Sequence, residues 1–245
     1  MSGDGSPIRR MILASPSDLS APWLRDGLRR RGIHEIHLVS VDSLVYSTSM
    51  THRVTREGEA RTEIRLHDGG LVGPSLAWTV NRAQFLPTVH LDTAGQSDRD
   101  YATQELYAFF TSVLYGLPGR TINRAGPRGL SGPYLAPSEW TRTGGIAGLA
   151  VSPYRSTVGG SPSEGSTVTL YAVGNDVVTQ ANQSITPPDN VIVGCRRLAA
   201  LLEVELLAAD FDTNDGLWRL TGGSCNPDLR QGGSELLDAV ARLLQ

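Results

Sequence analysis

Residues 206–229 read LLAADFDTNDGLWRLTGGSCNPDL, a stretch that sets out a strand, a tight turn, a second strand and an Asn226-Pro227 corner. The apolar runs ELLAADF, ending at Phe211, and GLWRL, ending at Leu220, flank Asp212-Thr213-Asn214-Asp215-Gly216. Asp215-Gly216 can supply the positive φ that a hairpin turn requires, so an antiparallel hairpin is predicted here. Asp210 and Asp212 stand two apart on one strand face, where they can pair as acid and base. In the simpler reading Asp212 only opens the turn.

Working upstream, NVIVGCRRLAALLEVELLA predicts a helix running into that first strand, and TVTLYAVGNDVVTQA predicts a hairpin turning at Gly174-Asn175. Downstream, Glu235 to Leu244 predicts a final helix capped by Ser234, with Leu236, Leu237, Val240 and Leu244 facing inward. At the other end of the chain, Arg10 to Ala14 reads as a strand. A helix capped by Ser17 or Asp18 follows, with Pro22 in its first turn and Gly32 after its end, and then a strand from Glu35 to Val41. That order is a βαβ unit with a right-handed crossover. Ser15-Pro16-Ser17 occupies the first strand-to-helix junction in place of a glycine-rich phosphate loop, which argues against a Rossmann nucleotide site.

MTHRVTR and ARTEIRLHDGG alternate around Glu57-Gly58-Glu59 and predict another hairpin, with Arg53, Arg56, Arg61 and Arg65 on one face. A solvated sheet face is the expectation there, and a binding surface the alternative. Ser97 to Leu117 carries apolar residues at helical spacing.

The 22 basic residues are all Arg, set against 25 acids and a formal charge of -3, so no basic footprint for nucleic acid is present. Arg29-Arg30-Arg31 reads as a solvated helix end, where cations meet the carbonyl pole. Cys195 and Cys225 are too few and too far apart for a metal pattern, and are expected as free thiols in a cytoplasmic protein. No apolar run is long enough to span a bilayer. His34 and His37 fall on opposite faces of a strand, while His52, His67 and His90 are isolated. No H-E-x-x-H, G-x-S-x-G or C-x-x-C occurs, although a Ser-His-Asp set drawn from distant positions stays open.

Several of these stretches together resemble the ATP-grasp ligases that crosslink ribosomally made peptides of the microviridin type. In that family a strand carrying Asp, a turn containing Gly and a second strand ending in Glu-x-Asn-Pro hold the magnesium ions that bridge the ATP phosphates. Asp210 matches the first ligand and Asn226-Pro227 the last, whereas Ser224 stands where the family has Glu. Trp78, Asn81 and Arg82 in SLAWTVNRAQF resemble the family's vWyRR strand, Asn123 its w-i-N-p strand, and Gly148, Leu149 and Pro153 the end of a later helix. The family's phosphate-gripping lysines have no counterpart in a chain without lysine, and Arg does not reproduce a compact ammonium. Residues 154–166, YRSTVGGSPSEGS, read as a linker where the family has its lid domain.

The resemblance implies an α/β fold: an ATP-grasp-like N-terminal βαβ domain plus a C-terminal α+β domain, with the central lid domain missing. Expected boundaries are 1–125 for the first, 126–168 for a helix and the linker, and 169–245 for the second. It further implies a pseudoenzyme with no catalytic residue, metal or cofactor, whose degenerate metal positions are Asp210, Ser224 and Asn226. Its expected role is to bind a precursor peptide by the leader and present it to a separate modifying enzyme, like the accessory proteins of crocagin-type pathways. The alternative is a subunit of an ATP-dependent peptide ligase whose nucleotide site a partner chain completes. Arg61, Arg65, Trp78 and Arg82 are the expected peptide contacts, through strand addition at a hairpin edge. If they are not contacts, Trp78 packs in the core and the arginines are solvated. Neither nucleic acid nor a membrane is an expected partner, and a homodimer is left open.

Overall fold

A computed structural model of the chain describes residues 6–152, 167–183 and 185–245. Two compact units divide it, residues 1–133 and 134–245. The proposed linker 154–166 and Pro153 lie outside the described residues.

The first unit is built on a parallel sheet. β1 (Arg10–Ala14) lies between β2 (Ile36–Ser40) and β6 (Trp78–Arg82), and β7 (Arg120–Ile122) completes the order β2-β1-β6-β7. RMILA is apolar almost throughout because a central parallel strand is covered on both faces. Between β1 and β2 runs α1 (Ser20–Arg29), which makes the expected βαβ unit. The capping differs from expectation. Leu19 holds the N-cap position and no side chain caps there, although Asp18 Oδ1 accepts the Ser20 N–H at 2.9 Å. At its other end Arg31 donates to the Gly27 carbonyl at 3.2 Å and Gly32 turns the chain with φ 82°, as expected of a basic carbonyl pole.

After β2 come the short α2 (Val41–Val45) and an antiparallel sheet of β3 (Ser49–Val54), β4 (Ala60–Arg65) and β5 (Leu71–Val72). The β3–β4 turn closes with Gly58 N–H to the Thr55 carbonyl and Thr55 N–H to the Glu59 carbonyl, at 3.1 and 2.8 Å. Gly58 takes φ 84°, which makes a three-residue loop with a bulge. α3 (Gln96–Tyr115) then precedes β7. Met11, Leu13 and Val39 from the parallel sheet, Ile64 from β4 and Phe110 and Leu114 from α3 share one core. Not all of the α3 periodicity points inward: Tyr101, Phe109 and Tyr115 are exposed.

The second unit contains an antiparallel sheet of order β11-β10-β8-β9, made by β8 (Thr167–Val173), β9 (Asp176–Thr179), β10 (Leu206–Asp212) and β11 (Arg219–Ser224). α4 (Pro137–Ile146) and α5 (Asp189–Leu201) supply Trp140, Val191, Cys195 and Leu198 to a core with Leu170, Leu207, Ala209 and Phe211. Two local expectations are corrected. The 206–229 hairpin forms as expected, but Leu217 and Trp218 of the GLWRL run lie in its loop and the second strand begins at Arg219, with the pairing shifted between Asp210 and Phe211. The last helix, α6, spans Gly233–Leu244 with Gly232 at its N-cap, so Ser234 lies inside the first turn rather than capping it.

Candidate functional site

Within the second unit, the positions that resemble metal ligands gather on one sheet face. Ala208 pairs with Ser224 and with Tyr171, and Asp210 pairs with Gly222 and with Thr169, so Asp210, Ser224, Thr169 and Tyr171 point the same way. Thr169 Oγ1 donates to Asp210 Oδ1 at 2.7 Å. The Ser224 hydroxyl accepts the Asn226 N–H at 3.0 Å, which holds the Asn226-Pro227 corner against the strand end. Tyr171 donates to the Asp228 carbonyl at 3.0 Å. Its hydroxyl is pushed up to about 12, first by burial and then by the nearby Asp228 and Asp210 charges. Asp212 accepts the Asn214 N–H at 3.0 Å, which is the turn-opening role rather than an acid–base one.

Glycine is required on this hairpin. A Cβ at Gly223 would stand 2.3 Å from the Ala208 carbonyl oxygen and 3.0 Å from the Trp140 ring, so the two strands and α4 approach too closely for any side chain.

As a donor set for magnesium, the two strands offer the Asp210 carboxylate and, where the family has Glu, the neutral Ser224 hydroxyl, ahead of the Asn226 corner. Among the described residues no three His, Cys, Asp or Glu side chains gather to hold a metal ion. With Ser224 in place of a charged ligand, this donor set does not match the magnesium–nucleotide site of the family that the stretch resembles. Burial pushes the Cys195 and Cys225 thiols up to about 12 and about 11, which makes both unreactive.

In the first unit the four expected peptide contacts do not form one surface. Trp78 is only 5% exposed, at the start of β6, so it packs in the core instead of anchoring a ligand. Arg82 is not solvated either. Its Nε and Nη2 donate to the two Asp18 carboxylate oxygens at 2.6 and 3.2 Å, and the residue is 3% exposed. This two-point pair sits where Ala14 of β1 lies beside Arg82 of β6, at the carboxyl ends of both strands. Nearby, the buried Asn81 amide donates to the Asn123 and Leu130 carbonyls at 3.0 and 2.6 Å. Trp78, Asn81 and Arg82 are thus framework residues of the sheet.

Arg61 is exposed on β4 and Arg65 half-buried. The register adds what the sequence reading missed: Arg53 stands directly opposite Arg61. The Gly58 turn contains the signal, since its loop length fixes that register. On the inner face His52 joins the hairpin to α3, its Nδ1 2.8 Å from the Thr62 hydroxyl, its Nε2 2.9 Å from the Ser112 hydroxyl and its ring edge-on to Phe109. Burial lowers its pKa below the ordinary 6.5. As the pH falls past that value the unfolded chain takes up the proton first, so this attachment is at full strength above it and weakens as pH falls through the folded value. Amide exchange in β3 and β4 should therefore accelerate between pH 7.5 and 5.5 beyond its intrinsic pH dependence, and His52→Gln should abolish that extra effect. Equal protection at both pH values would contradict this account.

No protein-family model matches the sequence, and no curated protein matches it. Solved structures do share its fold. The ATP-grasp ligase PsnB, complexed with a phosphomimetic variant of its minimal precursor, Mg and ADP, aligns with a TM-score of 0.69 at 17% identity, over 99% of each chain. A RiPP-associated ATP-grasp ligase of Chryseobacterium gregarium, in complex with ADP and a leader and core peptide, aligns at 0.67 and 8% identity over 98% of this chain and 96% of that one. The macrocyclase MdnC of Microcystis aeruginosa MRC, bound with precursor peptide MdnA, aligns at 0.68 and 11% identity over 96% and 99%. The mixed α/β architecture is thus ATP-grasp-like along nearly the whole chain. Among the described residues no helix is long and apolar enough to cross a membrane.

Proposed function

We propose that this protein binds a precursor peptide, through its leader, in the maturation of a ribosomally made and post-translationally modified peptide, and presents it to a separate modifying enzyme without catalysing a step itself. One observation carries the reading. On the sheet face that would hold magnesium and phosphates, Asp210 is engaged by Thr169, and position 224, where the family has Glu, carries a neutral hydroxyl bonded to the Asn226 corner. A chain without lysine also lacks the ammonium groups that grip phosphates in the family it resembles. Several ligases of this fold were solved with precursor peptides in place. Holding such a peptide needs no nucleotide, so a chain that has lost the nucleotide site can keep that part of the work. Residues 154–166 are read as a linker where the family this chain resembles has its lid domain.

The test is fluorescence polarisation with the precursor encoded nearest the gene, run beside calorimetry with ATP and magnesium. Peptide binding in the micromolar range, about -8 kcal/mol, is expected without nucleotide. No nucleotide heat is expected, and Ser224→Glu should not restore it, because one carboxylate replaces neither the lysines nor the lid. Micromolar magnesium-dependent ATP binding by the unaltered protein would overturn the non-catalytic reading in favour of a ligase subunit. Absence of precursor binding would remove the peptide reading.

A further inference from the structure

The β3–β4 hairpin breaks a rule of sheet stability. Like charges placed directly across antiparallel strands repel, and Arg53 faces Arg61 on the outer face. Arg65 follows on the same face, while Glu63, opposite Thr51, is the one acid among these cross-strand pairs. Arg53 and Arg61 are both exposed, and neither takes part in an ion pair among the described residues. An uncompensated local conflict of this kind is where function is expected.

The backbone beside these arginines is open. β3 is an edge strand in the order β3-β4-β5. Because Thr55 N–H bonds to the Glu59 carbonyl and antiparallel pairs alternate, Arg53 and Arg61 form the next bonded pair. The N–H and C=O groups of Met50, His52 and Val54 consequently point away from β4, toward the free edge. On the inner side of that edge, Val54 and Phe109 are 56% and 44% exposed.

We infer that the β3 edge takes up an extended peptide segment as an added strand, and that the segment alternates acidic and apolar side chains. This deepens the peptide-binding reading and rests on it. Ladder hydrogen bonds to Met50, His52 and Val54 align the segment. Every second side chain then falls beside Arg53 on the outer face, where a carboxylate relieves the Arg53–Arg61 repulsion. The others fall on the inner face beside Val54 and Phe109, where apolar groups are buried.

The probes are a labelled octapeptide alternating Glu and Val, the same peptide with Lys for Glu, and a peptide of identical composition with all Glu residues in one block. The unaltered protein should prefer the alternating acidic peptide over each of the others by about tenfold, with a salt-sensitive affinity. Arg53→Glu with Arg61→Glu should reverse the preference toward the Lys peptide, a gain that a misfolded variant would not show. Val54→Pro removes one edge N–H without touching the β3–β4 bonds and should weaken binding about tenfold. Equal affinity for the alternating and block peptides, or no reversal in the double variant, overturns the inference. The precursor separates the two levels: if it binds the unaltered protein and the double variant alike, the hairpin site falls and the peptide-binding function stands. If the unaltered protein binds no precursor, that function falls, whatever the octapeptides do.

Discussion

Replacing Arg82 by Ala should destabilise the first unit by about 3–5 kcal/mol, because it leaves the Asp18 carboxylate at the end of the parallel sheet without the guanidinium that neutralises it. The side chains are 4% and 13% exposed, so water replaces little of the lost interaction. Asp18→Ala should be similarly damaging, since it removes the carboxylate facing a buried guanidinium that cannot lose its proton. The double substitution should cost less than the sum of the two, the mark of a directly coupled pair. Denaturant unfolding read by amide exchange in β1 and β6 measures this within the first unit, without assuming that both units unfold together. A loss below about 1 kcal/mol for Arg82→Ala would mean that the pair behaves as a solvated surface bridge.

Phe211→Ala should destabilise the second unit by about 3–5 kcal/mol, at the centre of the hairpin on which the fold turns. Phe211 is fully buried, with Val168 beside it on β8 and Trp218 edge-on at 5.7 Å between ring centroids. The space it fills lies among Leu170, Leu207, Ala209 and Leu220 of the same core, so removing the ring leaves a cavity there. Phe211→Leu, which keeps most of the volume, should cost under half as much. Trp218 emission should shift to the red in the Ala variant as its ring loses cover. Stability within about 1 kcal/mol of the parent would show that the hairpin collapses onto the cavity.

The two substitutions bear differently on function. Neither Arg82 nor Phe211 belongs to the hairpin edge proposed to take up peptide, so any loss of binding in these variants should track unfolding. Arg53 and Arg61 should behave in the opposite way, changing binding with little change in stability, because exposed charges contribute little to the fold.

What short-range physics fixes was legible in the residues alone. Gly58, Gly174 and Gly216 mark turns between alternating runs, and each adopts positive φ. The apolar RMILA run predicted a covered central strand, and the βαβ order predicted its parallel neighbour. The motifs of 206–229 pointed to an ATP-grasp-like α/β fold, which solved structures of that kind share. Tertiary structure decided whatever depended on partners remote in the chain. Asp18 looked like a helix cap from its neighbours alone, yet it pairs with Arg82, 64 positions away. Arg82 looked like a peptide contact because the sequence does not show which acid the sheet brings to it, and Trp78 looked like an anchor because aromatic residues serve both cores and surfaces. The pairing shift between Asp210 and Phe211 likewise has no mark in the turn residues. Asp210 and Ser224 kept their places in the motif, but only the folded sheet shows their side chains engaged with Thr169 and the Asn226 corner. Hydrogen bonds of that kind depend on register, and register is settled when strands distant in sequence pack together.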